Sequence, residues 1–265
     1  MNNIALGRYI PYDSIVHRLD PRIKILSMLI LLVGIFVPAG FVGYSILAFF
    51  IVGIVFLSKL KFSFLIRAMK PMMLMLVFLM VINVFVLRTG YVVVSIGSVT
   101  IYSDALFQTL YISIRLLLMI MVTTVLTATT KPLDLTLGIE DLLSPFKRFK
   151  VPAHEIAMMI SIALRFIPTL IEETDRIMKA QASRGVDLAE GKFKEKIIAI
   201  LSLIVPLFVS SFQRAEDLAD AMEARGYVPS AKRTRYKQLK RTTKDYVALT
   251  VVIILVGSVF GVMFL

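Results

Sequence analysis

The sequence predicts an all-α membrane protein with about five membrane-spanning helices and two long cytoplasmic helices. Three observations predict it. Hydrophobic residues make up 58% of the 265 positions and the mean hydropathy is +0.83, whereas in a water-soluble globule only about half of the residues are apolar. Apolar runs recur at close to the roughly 17 to 25 residues that a helix needs to cross a bilayer. Lysine and arginine collect in alternate connections between those runs, the pattern that sets orientation in a membrane.

The first element opens at His17-Arg18-Leu19-Asp20-Pro21-Arg22-Ile23-Lys24. Asp20 is placed to cap a helix, Pro21 to take its first position, and the basic residues to hold that end in the cytoplasm. Arg8, Asp13, Arg18 and Asp20 interrupt the first twenty residues, which leaves no short apolar core of a cleavable signal. The first apolar run, 23–37, is therefore expected to stay, and it is short enough to need its flanks to cross. Pro38-Ala39-Gly40 breaks the chain into an uncharged hairpin before the second run, 41–57. Runs at 71–87 and 105–128 follow, and 246–265 closes the chain.

Arg18, Arg22 and Lys24 precede the first span; Lys59, Lys61, Arg67 and Lys70 lie between the second and third; Lys147, Arg148 and Lys150 follow the fourth. The alternate connections are nearly free of positive charge, with Arg88 the interruption. The amino terminus is accordingly expected inside. Lys232, Arg233, Arg235, Lys237, Lys240, Arg241 and Lys244 mark the cytoplasm again before the last span, which places the carboxyl terminus outside.

Two further apolar stretches, 156–171 and 197–212, decide the architecture. If both crossed, Arg176, Lys179, Arg184, Lys192, Lys194 and Lys196 would sit in an external connection, the wrong composition for one. Each stretch also runs unbroken into a polar helix. Both are read as long helices that start against the membrane domain and end in the cytoplasm, with partial insertion of their apolar parts left open. Residues 1–130 then hold the N-terminal transmembrane helices, 131–244 a cytoplasmic domain with two long amphipathic helices, and 245–265 the C-terminal transmembrane helix.

The inventory excludes several kinds of chemistry. Without cysteine there is no disulfide or thiolate site, and His17 and His154 stand apart from any ligand spacing. No cofactor is expected on this chain. A phosphate-binding Gly-x-x-x-x-Gly-Lys-Ser/Thr loop is missing, the nearest fragment being Gly191-Lys192-Phe193. The five spans contain essentially no Asp or Glu for an intramembrane enzyme or a proton relay. The net charge of +12 lies beside apolar runs, where it sets topology and meets anionic lipid instead of nucleic acid.

Some polar and small residues within the spans have two readings. Arg115 either contacts a partner or substrate path or snorkels toward an interface. Asn83 is expected to bridge helices. Gly257 and Gly261 form a small-x-x-x-small pair whose first expected use is internal packing. Met69, Met72, Met73, Met75 and Met80 cluster, as suits adaptable contact with a partner, with lipid or with neighbouring helices.

The sharpest signal is a repeat. Ala182-Ser183-Arg184-Gly185 ends one helical run and Glu223-Ala224-Arg225-Gly226 ends another. Aligned on the arginines, Asp175 falls opposite Glu216, Ile177 opposite Leu218 and Ala180 opposite Ala221. Neither arginine has a carboxylate three or four residues earlier, since Ala180 and Gln181 precede the first and Ala221 and Met222 the second. Neither guanidinium is neutralised by the usual neighbour on its own helix. A glycine past a helix end and a cation in its last turn also serve backbone capping and the helix dipole; two copies in matching contexts point to a shared docking role.

These residues resemble the T component, the transmembrane coupling subunit, of energy-coupling factor (ECF) transporters, the family of cobalt and vitamin importers. The likeness rests on three segments: Leu19-Asp20-Pro21-Arg22-Ile23-Lys24; Ala163-Leu164-Arg165-Phe166-Ile167-Pro168 through Glu172-Glu173 to Ala180-Gln181-Ala182-Ser183-Arg184-Gly185; and Ala221-Met222-Glu223-Ala224-Arg225-Gly226-Tyr227. Their order and spacing cover nearly the whole chain. The first copy has Ser-Arg-Gly where the family often has Ala-Arg-Gly, a small-for-small change, and Pro168 and Pro206 stand at unequal distances from their arginines.

The resemblance implies that the two long helices are coupling helices, making 131–244 a coupling domain. It implies that Ser183, Arg184 and Gly185, and Ala224, Arg225 and Gly226, dock on two cytoplasmic ABC-type ATPase subunits that carry the ATP and Mg. It implies a separate small substrate-binding membrane subunit that captures a vitamin or metal ion, with this chain supplying scaffold and coupling in the cell membrane. The alternative from another class is a self-sufficient secondary transporter or channel, which calls for ionisable groups or broken helices at the bilayer midplane.

Overall fold

The computed structural model describes residues 9–87, 89–96, 99–145, 152–186, 193–228 and 238–263. Arg88, Lys147, Arg148, Lys150, Gly191, Lys192 and the basic positions at 232–237, all used above to read topology or motifs, lie outside the described residues. Helices dominate: α1 (Pro21–Phe36), α2 (Gly40–Leu57), α3 (Phe62–Val86), α4 (Ser103–Thr129), α5 (Pro132–Leu143), α6 (Ala153–Ser183), α7 (Phe193–Ala224) and α8 (Thr243–Met263). Six of them, α2, α3, α4, α6, α7 and α8, are long and apolar enough to cross a membrane. At 16 residues, or roughly 24 Å, α1 is short of that length. The protein is an all-α, multi-span membrane protein.

Two local features differ from the sequence reading. The third helix starts at Phe62 rather than near Pro71, so Arg67 and Lys70 belong to its first turns and Pro71 lies inside it. Between α3 and α4, β1 (Val92–Ile96) and β2 (Val99–Tyr102) form an antiparallel hairpin that was not anticipated.

The chain forms two compact units, residues 1–139 with 239–265, and residues 140–238. In the first, α1, α2, α4 and α8 share one core in which Leu31, Ile35, Leu47, Ile51, Val122 and Val256 are buried. The α1 and α8 backbones approach closely because Gly34 has no side chain: a Cβ there would lie 2.9 Å from Val256 Cγ2. The expected internal use of Gly257 and Gly261 is not seen, since a Cβ at either would meet nothing within 4 Å. Asn83 does bridge helices, its Nδ2 donating to Thr109 Oγ1 of α4 at 2.9 Å.

A polar knot closes one end of this bundle. Asp20 caps α1 as expected, Oδ1 accepting from the Arg22 amide at 2.8 Å, with Pro21 in the first turn. Asp245, 1% exposed, accepts from the Asp20 amide at 2.8 Å and from the amide and hydroxyl of Thr242 at 2.6 and 2.7 Å. Lys24 Nζ donates to the carbonyls of His17 at 3.1 Å and Thr129 at 3.0 Å and to Thr130 Oγ1 at 3.3 Å. The starts of α1 and α8 and the end of α4 are thereby tied together. His17 joins them, Nε2 donating to the Ile10 carbonyl at 3.1 Å while Nδ1 accepts from Ser14 Oγ at 2.7 Å.

Asp245→Ala strands the Asp20 and Thr242 amides without an acceptor; it is expected to cost roughly 3 kcal/mol, read as a lower melting temperature of the detergent-solubilised chain, with Asp245→Asn losing less. His17 gives a pH dependence. Burial lowers its imidazole below the ordinary 6.5, outweighing the pull of the Ile10 carbonyl. Between that lowered value and 6.5 the unfolded chain holds more protons, so stability rises with pH through the window and levels off above it. Melting curves from about pH 5 to about pH 8 should show the slope, and His17→Asn should remove that part of it.

Candidate functional site

The second unit contains α6 and α7, and both end in the same backbone device. At the end of α6 the Gly185 amide donates to the Ala182 carbonyl and the Val186 amide to the Gln181 carbonyl, each at 3.0 Å. At the end of α7 the Gly226 amide donates to Glu223 at 2.8 Å and the Tyr227 amide to Met222 at 3.0 Å. Gly185 and Gly226 hold φ of +81° and +70°, the left-handed conformation that this Schellman closure requires and that glycine adopts without steric cost. Arg184 and Arg225 occupy the equivalent cap position in the two helices.

This geometry bears on the competing capping explanation for the arginines. Backbone amides already serve the carbonyls of Gln181 and Ala182 and of Met222 and Glu223, so neither guanidinium is needed for this closure. Ser183, Arg184, Gly185, Ala224, Arg225 and Gly226 are all exposed. Neither Arg184 nor Arg225 has a side-chain hydrogen bond or ion pair with another described residue. Ser183 Oγ donates to the Lys179 carbonyl at 3.0 Å, so its hydroxyl is spent within the helix and it presents little more than a small side chain.

Contacts between α6 and α7 run antiparallel. Gln181 Nε2, near the end of α6, donates to the Ser202 carbonyl in the first third of α7 at 3.2 Å. Earlier in α6, Glu173 pairs with Arg214 at 2.6 Å, and the Arg214 guanidinium lies 6.0 Å from the Phe166 ring centroid. The two arginine tips therefore lie toward opposite ends of the pair, on the order of 30 Å apart along the helices. One partner contact cannot easily span both. Where α6 begins, His154 Nδ1 meets Glu140 Oε1 at 2.9 Å, a contact 14 residues apart that the sequence pattern did not reveal.

Arg115 in α4 is absorbed by its own bundle. Its Nε donates to Tyr44 Oη at 2.9 Å, and that hydroxyl donates to the Ile35 carbonyl at 2.9 Å. The guanidinium also lies 5.4 Å from the Tyr111 ring centroid. Tyr44 is one turn into α2 and Ile35 is at the end of α1, so the side chain reaches back toward the start of α4, the direction helical side chains favour. Arg115 is thus held within the helix bundle by Tyr44 and Tyr111.

The described residues contain no group of His, Asp or Glu that could hold a metal ion. Fold and site together define a multi-span helical membrane protein that exposes two arginine-tipped helix ends. The sequence model of the family described as CbiQ, cobalt transport protein, matches residues 13–236. Similar proteins include the energy-coupling factor transporter transmembrane protein EcfT of Bacillus subtilis, 44% identical over 260 residues and 98% of each chain. That of Macrococcus caseolyticus is 45% identical over 253 residues and 96% of each chain, and that of Streptococcus equi 46% identical over 255 residues, 96% of this chain and 95% of the relative. The chain belongs to the CbiQ/EcfT family of transmembrane proteins.

Replacing Gly185 by Val forces a branched residue into φ +81° at a cost of roughly 1 to 2 kcal/mol. The last turn of α6 should fray, raising amide exchange at Gly185 and Val186 about tenfold while exchange in the middle of α6 is unchanged; Gly226→Val should do the same at Gly226 and Tyr227.

Proposed function

We propose that the chain couples ATP hydrolysis by two cytoplasmic ABC-type ATPase subunits to movement of a separate, small substrate-binding membrane subunit that takes up a vitamin or metal ion. The observation that carries this reading is the pair of exposed arginines, one at each Schellman-closed end of α6 and α7, neither with a side-chain bond to another described residue. A guanidinium offers a fixed fork of donors to a carboxylate or to helix-end carbonyls in an ATPase groove. Gly185 and Gly226 turn the chain away from the tip with no side chain to clash. Ser183 and Ala224, small and exposed, let a groove wall close over each cap. Two tips toward opposite ends of the helix pair suit two ATPase subunits.

ATP binding draws the two ATPases together, and each carries the helix tip it holds. Since α6 and α7 are pinned to one another at Glu173–Arg214 and Gln181–Ser202, the displacement passes along the helices instead of being lost in bending. The apolar face of α7, with Ile197, Leu201, Ile204, Phe208 and Phe212 exposed at helical spacing, offers the surface on which the substrate-binding subunit moves. In this arrangement the basic segments before α1 and α8 face the cytoplasm, so the amino terminus is inside and the carboxyl terminus outside.

Charge reversal of both tips, Arg184→Glu with Arg225→Glu, is expected to weaken co-purification of the ATPases on the order of thirtyfold, as the loss of a charge pair at an interface does. Membrane insertion and melting temperature should be unchanged, because neither arginine makes a side-chain hydrogen bond or ion pair with another described residue. Normal ATPase recovery and substrate uptake by the double variant would overturn the proposal, as would uptake by the chain alone in liposomes, the behaviour of a secondary transporter.

A further inference from the structure

The first unit contains a cleft of about 470 Å³ at the knotted end of the bundle, between α1, α2, α4 and α8, a volume within the roughly 300 to 1,000 Å³ of ligand sites. Its floor is aliphatic and buried, formed by Leu31, Ile51, Val125 and Val252. Its mouth is exposed, with Ile15 at 62%, Leu57 at 53% and Val247 at 58%. Small residues leave the space unfilled: Ser27 on α1 and Ala248 on α8 line it where larger side chains would close it. The α8 residues along it run from Thr243 to Val252, on the order of 13 Å, close to the roughly 15 Å of hydrocarbon in one leaflet.

Charge stands only at one end. Lys244 and Thr243 form the rim, Lys24 lies deeper, and no carboxylate is among the lining residues. Lys24 is spent on three oxygens of the polar knot. Lys244 is exposed, makes no ion pair with a described residue, and ends a basic run that includes Lys237, Lys240 and Arg241. An aliphatic slot lying along the helices, of one leaflet's depth and with a free ammonium at its polar end, complements one class of molecule.

We propose that this cleft holds an acyl chain of one anionic phospholipid whose phosphate is met by Lys244. The hydrocarbon fills the space that Ser27 and Ala248 leave, and the headgroup takes the charge that no described carboxylate neutralises. The bound lipid thereby seals the contact of α8 with α1 and α2 beside the Asp245 knot. The site lies within one unit and does not depend on the docking role of Arg184 and Arg225.

The full-length chain, reconstituted in nanodiscs of equal phosphatidylglycerol and phosphatidylcholine and released into mild detergent, tests this by native mass spectrometry. Phosphatidylglycerol should be retained about fivefold over phosphatidylcholine, the preference expected of one basic residue at a membrane surface. Lys244→Glu, a change on an exposed side chain, should abolish the preference, and Ala248→Trp should abolish retention by filling the slot. Wild-type chain that retains no phospholipid, or both lipids equally, overturns the proposal without reference to any variant; so does a Lys244→Glu chain that keeps the preference. A photoreactive side chain at Val251 should label lipid, and capture of a protein helix there would equally sink the assignment.

Discussion

A helix leaves unpaired carbonyls at one end and unpaired amides at the other, and in a chain surrounded largely by lipid those groups have little water to turn to. How each end is satisfied decides which charged side chains remain for other work. At the end of α6 and of α7 backbone amides close the helix through a glycine at positive φ, and the arginine beside it makes no side-chain bond with a described residue. At the start of α1 and α8 side chains do it instead: Asp20 serves the Arg22 amide, and Asp245 serves the amides of Thr242 and Asp20. Both oxygens of Asp245 and one oxygen of Asp20 are engaged in this way. Charged side chains are thus anchors at one set of helix ends and stay out of the helix closure at the other.

Asp245 also explains why the last helix belongs with the first. A carboxylate this deeply buried is stable only when its lone pairs are filled, and one of its donors, the Asp20 amide, lies 225 residues away in sequence. Lys24 is the matching case for a cation, with three oxygen acceptors around Nζ. The knot therefore fixes the bundle's end by polar contacts while Gly34 and Val256 set the distance between α1 and α8 farther along. Apolar packing alone would discriminate weakly among helix registers in lipid, where side chains gain little by leaving one aliphatic surface for another.

Much of this was legible in the sequence. Long apolar runs announced the helices, Asp20-Pro21 announced a cap, and the two Arg-Gly ends were visible as a repeat because capping is local chemistry read over four or five residues. The hairpin was missed although Tyr91-Val92-Val93-Val94 and Val99-Thr100-Ile101-Tyr102 are rich in β-branched and aromatic residues on either side of Gly97-Ser98; a search for spans treats such a stretch as a connection. The start of α3 was missed because Arg67, Lys70 and Pro71 look like a loop, whereas a helix tolerates basic side chains in its early turns where they reach out of the apolar layer. The Asp245 knot, the Glu140–His154 contact and the antiparallel pairing of α6 with α7 depend on distant partners, which no local pattern encodes.

The antiparallel pairing changes what the repeated arginines mean. Two equivalent tips on parallel helices would lie side by side and could enter one groove, giving avidity on a single partner. Because Gln181 meets Ser202 and Glu173 meets Arg214, the tips diverge, and on the proposed docking role the duplication would hold two partners apart by a fixed length of helix. A lever of that kind works only if its middle does not yield. The ion pair between Glu173 and Arg214 lies between the tips, with the Arg214 guanidinium beside Phe166, so the polar contacts that join α6 to α7 stand where force from both ends would meet. On the proposed role the local closure at each glycine and the long-range pairing at Arg214 are complementary requirements: the first leaves each guanidinium out of the helix closure, and the second ties the two tips together.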